Sequence, residues 1–140
     1  MTASPQARAA IERILMRDQR YTREAYAFVQ TVVSRVHRHR NRSDRHAAPR
    51  HIHADELLEA VRRYAHKQYG PLALHVLNTW GISTTADIGN IIFLMVDEDL
   101  LAADASDTPE AFADAYDLHD ALAKPYMPSG QQVDVPTLDG

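Results

Sequence analysis

The stretch IGNIIFLMV, residues 88–96, restricts the fold of this chain more than any other feature. It follows Ser83 and Thr84, either of which can cap a helix, so we predict a helix over 84–98. Apolar side chains would then cover every face of that helix, and such a helix must be shielded from water all round. Two arrangements satisfy this requirement. The helix lies at the centre of its own domain, or a partner or second copy of the chain covers part of it.

Segments with apolar residues at helical spacing occur along the rest of the chain, and no segment has the alternating pattern of a strand. We predict these further helices at 5–17, 22–38, 55–69, 71–79 and 109–122. Thr22 and Thr108 are the predicted caps of the second and the last of them, and Pro71 suits the first turn of the short one. The predicted fold class is therefore all-α, a single small bundle of five or six helices with a helix-turn-helix-like core.

Length and composition set the domain organisation that we expect. With 140 residues the chain is long enough for one domain with a sizeable core. We predict one helical domain over 1–123, interrupted by a basic mobile linker at about 39–53, and a disordered tail over 124–140. The longest apolar run is too short to cross a membrane, and the start lacks the apolar stretch of a signal peptide. We therefore expect a cytoplasmic protein with no membrane partner.

The net charge of −4 conceals an uneven distribution of charge along the chain. Residues 1–53 hold eleven arginines against four acidic residues, whereas residues 54–140 hold four basic against fifteen acidic residues. Such segregation predicts either that the two halves pack against each other or that they bind partners of opposite sign. The arginines that we predict to attract an acidic partner are Arg35, Arg38, Arg40, Arg42 and Arg45.

The second half of the chain has the outline of a helix-turn-helix, with a tight turn at Gly81. Its three blocks are ELLEAVRRYA, PLALHVLNTW and TADIGNIIFLMV. In a DNA-binding version the last helix carries side chains that reach base edges, and here only Asn90 qualifies. Asp87 and the acidic residues from Asp97 onward would be repelled by phosphate. We therefore interpret this stretch as a helix-turn-helix used for packing or protein contact.

Several residues around this turn are candidates for shaping it or for contacting a protein. They are Trp80, Asp87, Gly89, Asn90, Ile92 and Leu94. Trp80 is expected to anchor the core, with Asp87 as a candidate acceptor for its indole N–H. Gly89 lowers helix stability by about 1 kcal/mol relative to alanine. We therefore expect it to admit the close approach of another backbone or of the Trp80 ring.

The sequence contains little that points to catalysis or to metal binding. There is no cysteine, and the five glycines are scattered, so no thiolate chemistry and no phosphate-binding loop is expected. His51 and His53 could touch one metal ion but lie on the predicted linker. Asp114 and Asp117, with His119 nearby, could do acid–base chemistry only if buried, and we expect them to be exposed. We predict no catalytic residue, no metal site and no cofactor.

Three blocks of the chain share a recognisable pattern: RYTREAYAFV, ELLEAVRRYA and YGPLALHVLNTWGISTTADIGNIIFLMV. On this pattern, over half of the chain resembles a family of short bacterial proteins of uncharacterised function. Within the last block the residues that fit the family pattern are Trp80, Gly81, Ile82, Thr85, Asp87, Gly89, Ile91, Phe93 and Val96. The chain departs from that pattern in its expanded Arg/His linker and at Ile88. The resemblance implies a family and no activity.

These observations favour a non-enzymatic protein-binding or scaffolding module with a protein partner or a homodimeric state. The alternative is a small nucleic-acid-binding protein that uses the Arg/His-rich linker for nonspecific contact. The two hypotheses differ in what the basic residues meet, a carboxylate-bearing protein surface or a phosphate backbone.

Overall fold

The computed structural model of the chain describes residues 5–43, 53–101 and 109–126. It contains five α-helices: α1 (Pro5–Arg17), α2 (Arg23–Ser43), α3 (Ala54–Tyr69), α4 (Ala73–Thr79) and α5 (Thr85–Asp97). Short 3₁₀ helices lie at Gly70–Leu72, Pro109–Phe112 and Lys124–Tyr126, and a π-helix lies at His119–Ala123. Within these ranges no strand is present, so the predicted all-α fold class is confirmed. No helix in the described ranges is both long and apolar enough to cross a membrane.

Helix α5 lies at the centre of the fold. Ile88, Ile91 and Met95 are completely buried, and Ile92 is only 9% exposed. The helix is covered by α1, by α2 and by the Pro109–Phe112 segment. The chain itself therefore buries this face of α5, as in the first of the two arrangements, while Phe93, Leu94 and Val96 are only partly buried.

Helices α2 and α3 pack as an antiparallel pair. Val29 and Val32 of α2 are buried together with Leu58 and Val61 of α3. Near the start of α2, the ring of Phe28 packs on two aromatic rings in the second half of α3. The chain reverses direction between these helices, so the second half of α2 lies beside the first half of α3.

Helix α2 continues to Ser43, several residues past the predicted end at 38. Residues 39–43 of the basic linker predicted at about 39–53 are therefore helical, and residues 44–52 lie outside the described ranges. Arginine is a good helix former, and basic side chains interact favourably with the negative end of the helix dipole. These two effects explain why the Arg/His-rich sequence extends the helix.

The turn between α4 and α5 is formed by local capping. Thr84 accepts a hydrogen bond from the Asp87 N–H, and the Asp87 side chain accepts one from the Thr84 N–H, which makes a capping box. Gly81 has a φ of 96°, and a Cβ there would lie 2.3 Å from the Arg20 carbonyl oxygen. A glycine is therefore required both by its left-handed backbone and by the approach of the α1–α2 turn.

The short helix predicted over 71–79 is present: it begins as a 3₁₀ turn at Gly70–Leu72, with Pro71 in that turn, and continues as α-helix over Ala73–Thr79. The predicted capping role of Thr22 was wrong. Thr22 does not cap α2 through its side chain, because its hydroxyl oxygen is buried without a hydrogen-bond partner among the described residues. Instead, its main-chain carbonyl accepts from the Ala25 N–H at 3.0 Å.

The continuous helix predicted over 109–122 is also wrong. A break separates Pro109–Phe112 from His119–Ala123, and Asp114 within it has a φ of 53°. Tertiary contacts explain the break. Phe112 packs on α5, while the Tyr116 hydroxyl donates a 2.7 Å hydrogen bond to the Leu58 carbonyl of α3. The predicted cap Thr108 lies outside the described ranges, and the predicted tail begins with a 3₁₀ helix at Lys124–Tyr126.

Candidate functional site

A groove of about 490 Å³ runs between α2 and α3. Helix α2 contributes Val32, Arg35, Val36, Arg38 and His39 to it. Helix α3 contributes Glu56, Glu59, Ala60, Arg63, Tyr64 and Lys67. On each helix these positions recur three or four residues apart, so they form one stripe along each wall. We call this feature the α2–α3 groove.

The groove has an apolar floor and a charged rim. Val32 and Val36 are buried beneath it, and the partly exposed side chains of Ala60 and Tyr64 complete the floor. The rim is exposed and predominantly basic: Arg35, Arg38 and His39 on one side, Arg63 and Lys67 on the other. Four permanently charged cations therefore face two carboxylates across this surface.

Arg35 has a defined position at the rim. Its guanidinium carbon lies 4.8 Å from the centre of the Tyr64 ring, a cation–π distance. Tyr64 is held in turn by Phe28, whose ring centre is 5.6 Å away. Arg35 forms no hydrogen bond or ion pair with a described residue. Its donors are therefore available to a ligand while the aromatic contact limits its motion.

The carboxylate of Glu59 does not neutralise the rest of the rim. It accepts hydrogen bonds at 3.0 Å from the Nε atoms of both Arg62 and Arg63. The bond from Arg62, above all, holds the pKa of Glu59 below its usual value. Arg38 and Lys67, like Arg35, form no ion pair with any residue in the part of the chain that the structure describes. Positive charge in the groove is consequently in excess.

A second cluster of charges lies where α1 meets the end of α5, and we call it the α1–α5 junction. Arg13 donates from Nε to Glu98 Oε1 at 2.8 Å. The Arg17 guanidinium lies 3.7 Å from Glu98 and 3.8 Å from Asp97. Here arginines from the basic first half of the chain form ion pairs with acidic residues from the second half. Part of the segregated charge is therefore neutralised within the molecule.

The predicted turn residues Asp87 and Asn90 form a network with Tyr21 of the α1–α2 turn. The Tyr21 hydroxyl donates to Asp87 Oδ1 at 2.6 Å and accepts from Asn90 Nδ2 at 3.0 Å. Burial raises the pKa of Asp87, but hydrogen bonds from Tyr21 and from two backbone N–H groups outweigh it and lower that pKa overall. Burial, followed by the bond to Asp87, raises the pKa of Tyr21 to about 12. The network ties the start of α5 to the α1–α2 turn.

Trp80 takes part in this turn differently from the prediction. Asp87 is occupied by Tyr21 and by the backbone, and it does not accept from the indole N–H. The Trp80 carbonyl instead accepts from the Thr22 N–H at 3.2 Å, and its ring packs 5.5 Å from that of Phe28. Trp80 is therefore an anchor between α2 and the turn.

Gly89 and Ile92 face the interior. A Cβ on Gly89 would lie 2.6 Å from the Phe112 Cβ, so the close approach that we expected is made by Phe112 and not by Trp80. Ile92 is buried and Leu94 is partly buried against the core. Ile92 was one of the residues predicted to contact a partner. That prediction is wrong for Ile92, because other segments of the chain bury its side chain.

The remaining predicted residues are placed as follows. Arg40 and Arg42 lie in α2, in the stretch whose side chains the structure does not describe, and Arg45 and His51 lie outside the described ranges. Asp114, Asp117 and His119 are exposed, as expected. One ligand atom each from Asp117, His119 and Asp120 lie within 4.8 Å of one another, all on exposed side chains. Asp117 already accepts from the Asp120 N–H, so this cluster serves as a turn cap.

Sequence reasoning missed the α3 wall of the groove. Arg63 and Lys67 lie four residues apart, with Tyr64 beside them, on the exposed face of an amphipathic helix. Their spacing is visible in the sequence, but their position opposite Arg35 follows from the packing of α3 on α2.

Comparison of the chain with protein-family models, with curated proteins and with solved structures gave no match. The resemblance to the family of short bacterial proteins stays a prediction.

Proposed function

We propose that this chain is a non-enzymatic protein-binding module, and that the α2–α3 groove binds an acidic segment of a partner protein. The observation that carries the proposal is a set of three cations, Arg35, Arg38 and Lys67, that line an apolar floor and form no ion pair with a described residue. At the α1–α5 junction, by contrast, arginines of the same half of the chain are paired. The groove therefore offers positive charge to a partner.

The physical character of the groove indicates how such a partner would bind. Complementary charge increases the rate of encounter and selects the partner, and it weakens as salt screens it over about 10 Å at 0.1 M. The apolar floor is small because Val32 and Val36 are already buried. Binding would therefore be moderate in strength, fast and sensitive to salt.

Helix α5 serves this proposal as a scaffold. Its buried side chains hold α1, α2 and the Pro109–Phe112 segment together, and the helix-turn-helix-like arrangement of α3, α4 and α5 would be used for packing. A homodimer formed through α5 is not part of the proposal, because the chain itself buries Ile88, Ile91 and Met95 of that helix. A cytoplasmic location and membership of the short bacterial family are retained as proposals that accompany this one.

Nucleic-acid binding is the second candidate, and the length of α2 is the observation that favours it. Because α2 continues to Ser43, Arg35, Arg38 and Arg42 occupy positions on one helical face, and such a basic face can neutralise phosphates. Glu56 and Glu59 on the facing wall reduce its attraction for a phosphate backbone. We therefore place this function second.

A pull-down with the tagged full-length chain from native lysate, with and without nuclease, tests the proposal. The groove variant combines Arg35→Glu with Lys67→Glu. The matched control combines Arg8→Glu with Lys124→Glu, which changes the net charge equally at exposed positions outside the groove. We expect protein partners to survive nuclease, to be lost with the groove variant and to be retained with the control. Partners that disappear with nuclease would favour nucleic acid, and partners retained by the groove variant would contradict the docking site.

A further inference from the structure

We infer that the occupant of the α2–α3 groove is an amphipathic α-helix that carries its carboxylates beside an apolar stripe. This inference rests on the proposed function and specifies the partner's conformation and the residues that recognise it. Three observations carry it: the groove walls are helices, the lining positions have helical spacing, and cations that form no ion pair within the described ranges flank the apolar floor.

The walls of the groove offer no strand edge and no free backbone groups to an extended peptide. Both are α-helices whose N–H and C=O groups are bonded internally, and no strand edge is present in the described ranges. An extended segment laid between them would leave its own backbone groups dependent on water. A helix satisfies those groups internally and presents only side chains, which is how a peptide enters a groove of this kind.

The spacing of the walls also suits a helix. Lining positions recur at three- and four-residue intervals on both helices, and the ridges of a third helix pack into such grooves. On α3 the wall extends from Glu56 to Lys67, a length of about 17 Å at 1.5 Å per residue. Ala60, near the middle, leaves room for an approaching helix. The groove therefore matches about three turns of helix.

The cations determine where the carboxylates of the occupant lie. Arg35, held on the Tyr64 ring, presents a guanidinium whose fork matches a carboxylate. The Arg35 guanidinium lies over Tyr64, and Lys67 follows Tyr64 by three residues on the same face of α3, so its charge adds to that of Arg35 near this ring. Glu56 and Glu59, nearer the start of α3, make that end of the wall less favourable for acidic side chains. The carboxylates of the occupant are consequently placed near Arg35 and Lys67, and its apolar stripe on Ala60 and Tyr64.

Synthetic peptides of about 15 residues test this inference, because such a peptide is only marginally helical alone. The probe has leucines at helical spacing and glutamates beside them. The first control has the same composition in an order that forms no helical stripe, and the second replaces every glutamate with lysine. Binding to the full-length chain is measured by fluorescence anisotropy, and helix formation by the circular dichroism of the complex.

We expect the probe to bind about tenfold more tightly than the shuffled peptide and to gain helix on binding. Combining Arg35→Glu with Lys67→Glu should lower the affinity for the probe at least about tenfold. The control pair Arg8→Glu with Lys124→Glu should leave that affinity unchanged. Ala60→Leu fills the floor without changing charge. It should lower the affinity for the probe by a larger factor than the affinity for the shuffled peptide. Equal affinity of probe and shuffled peptide, without helix gain, would overturn the helical occupant and leave the basic groove standing as a site for acidic segments. Failure of both acidic peptides to bind would overturn the groove as well.

Discussion

Arginines have opposite roles in the α1–α5 junction and in the α2–α3 groove. At the junction, Arg13 and Arg17 meet Glu98 and Asp97 from the acidic half of the chain. In the groove, the guanidinium of Arg35 rests on the Tyr64 ring of a wall that also carries Arg63 and Lys67, and it forms no ion pair with a described residue. The first cluster joins two parts of the fold, while the second leaves its charge directed to solvent.

This difference shows that folding brings some of the arginines of the basic half next to acidic residues and leaves others without them. The arginines of α1 come close to the end of α5 because both helices pack on the same core, so opposite charges meet there. The arginines of α2 lie beside α3, whose exposed face carries Arg63 and Lys67. Neighbouring like charges repel, and an acidic occupant would remove that repulsion. We therefore expect changes at the junction to alter stability and changes in the groove to alter binding.

The largest expected effect comes from the apolar layer that supports both regions. Ile92→Asp places a carboxylate in the buried face of α5, and we expect it to lower the free energy of unfolding by about 4 kcal/mol or more. Leu94→Asp, at a partly buried position, should cost clearly less. Chemical denaturation followed by circular dichroism measures both. A folded and stable Ile92→Asp protein would show that this face of α5 is not part of the core.

The contact between Gly89 and Phe112 gives the next largest effect. Gly89→Ala should destabilise the fold by about 2 kcal/mol, although alanine favours helix, because the new Cβ would overlap the Phe112 side chain. The same change in a Phe112→Ala background should be neutral or stabilising. Thermal and urea unfolding of the four proteins in this cycle provide the measurement. A stabilising Gly89→Ala in the natural background would mean that Phe112 does not pack there.

The groove should respond to charge through binding. Lys67→Glu is expected to lower the affinity for an acidic helical peptide about tenfold at low salt, or about 1.4 kcal/mol. The free energy of unfolding should stay nearly unchanged. Lys67 forms no ion pair with a described residue whose loss would destabilise the fold. Isothermal titration calorimetry at two salt concentrations measures this, with Lys124→Glu as the matched lysine outside the groove. Equal weakening by both variants would indicate a general charge effect.

The junction should respond in the opposite way. Arg13→Glu replaces an ion pair with a repulsion from Glu98, and we expect a loss of about 0.5–1 kcal/mol of stability because the arginine is largely exposed. Peptide binding should not change beyond the effect of net charge shown by Arg8→Glu. Urea unfolding at low and high salt is the test, and the loss should shrink in high salt. Weaker binding by Arg13→Glu alone would place the docking surface at the junction.

The smallest expected effect is the acid dependence contributed by Asp87. Its carboxyl group has a lowered pKa in the fold, so its contribution to stability is present above the unfolded pKa of about 3.9 and is lost as pH falls through the folded value. Asp87→Asn should therefore lose stability less steeply between about pH 5 and pH 2. Tyr21→Phe, which removes one donor, should give an intermediate slope. Identical slopes for all three proteins would contradict the hydrogen-bonded carboxylate.

Local signals in the sequence were sufficient for most of the fold. The bounds of α1 match the predicted 5–17, and α5 begins after the predicted cap Thr84, because periodicity and capping are properties of neighbouring residues. The segment over 109–122 was mispredicted, since Phe112 and Tyr116 are held by residues distant in sequence. No local pattern reports such contacts.

Only the α2 wall of the candidate site could be predicted from the sequence. Arg35 and Arg38 could be singled out because arginines crowd that part of the chain. The facing residues Arg63 and Lys67 appeared as an ordinary solvated helix face, and the stacking of Arg35 on Tyr64 depends on the register between α2 and α3. Which side chains face each other across two helices is set by packing, which the sequence of either helix alone does not contain.

The most direct test of the groove as the docking surface is nuclear magnetic resonance of the isotope-labelled full-length chain, titrated with the acidic helical peptide. We expect the largest shift changes in the lining residues of α2 and α3, above all Arg35, Ala60, Tyr64 and Lys67, and small changes at Arg13 and Arg17. Shift changes centred on the α1–α5 junction, or spread evenly over all basic residues, would contradict the division between a charge cluster that joins the fold and one that binds a partner.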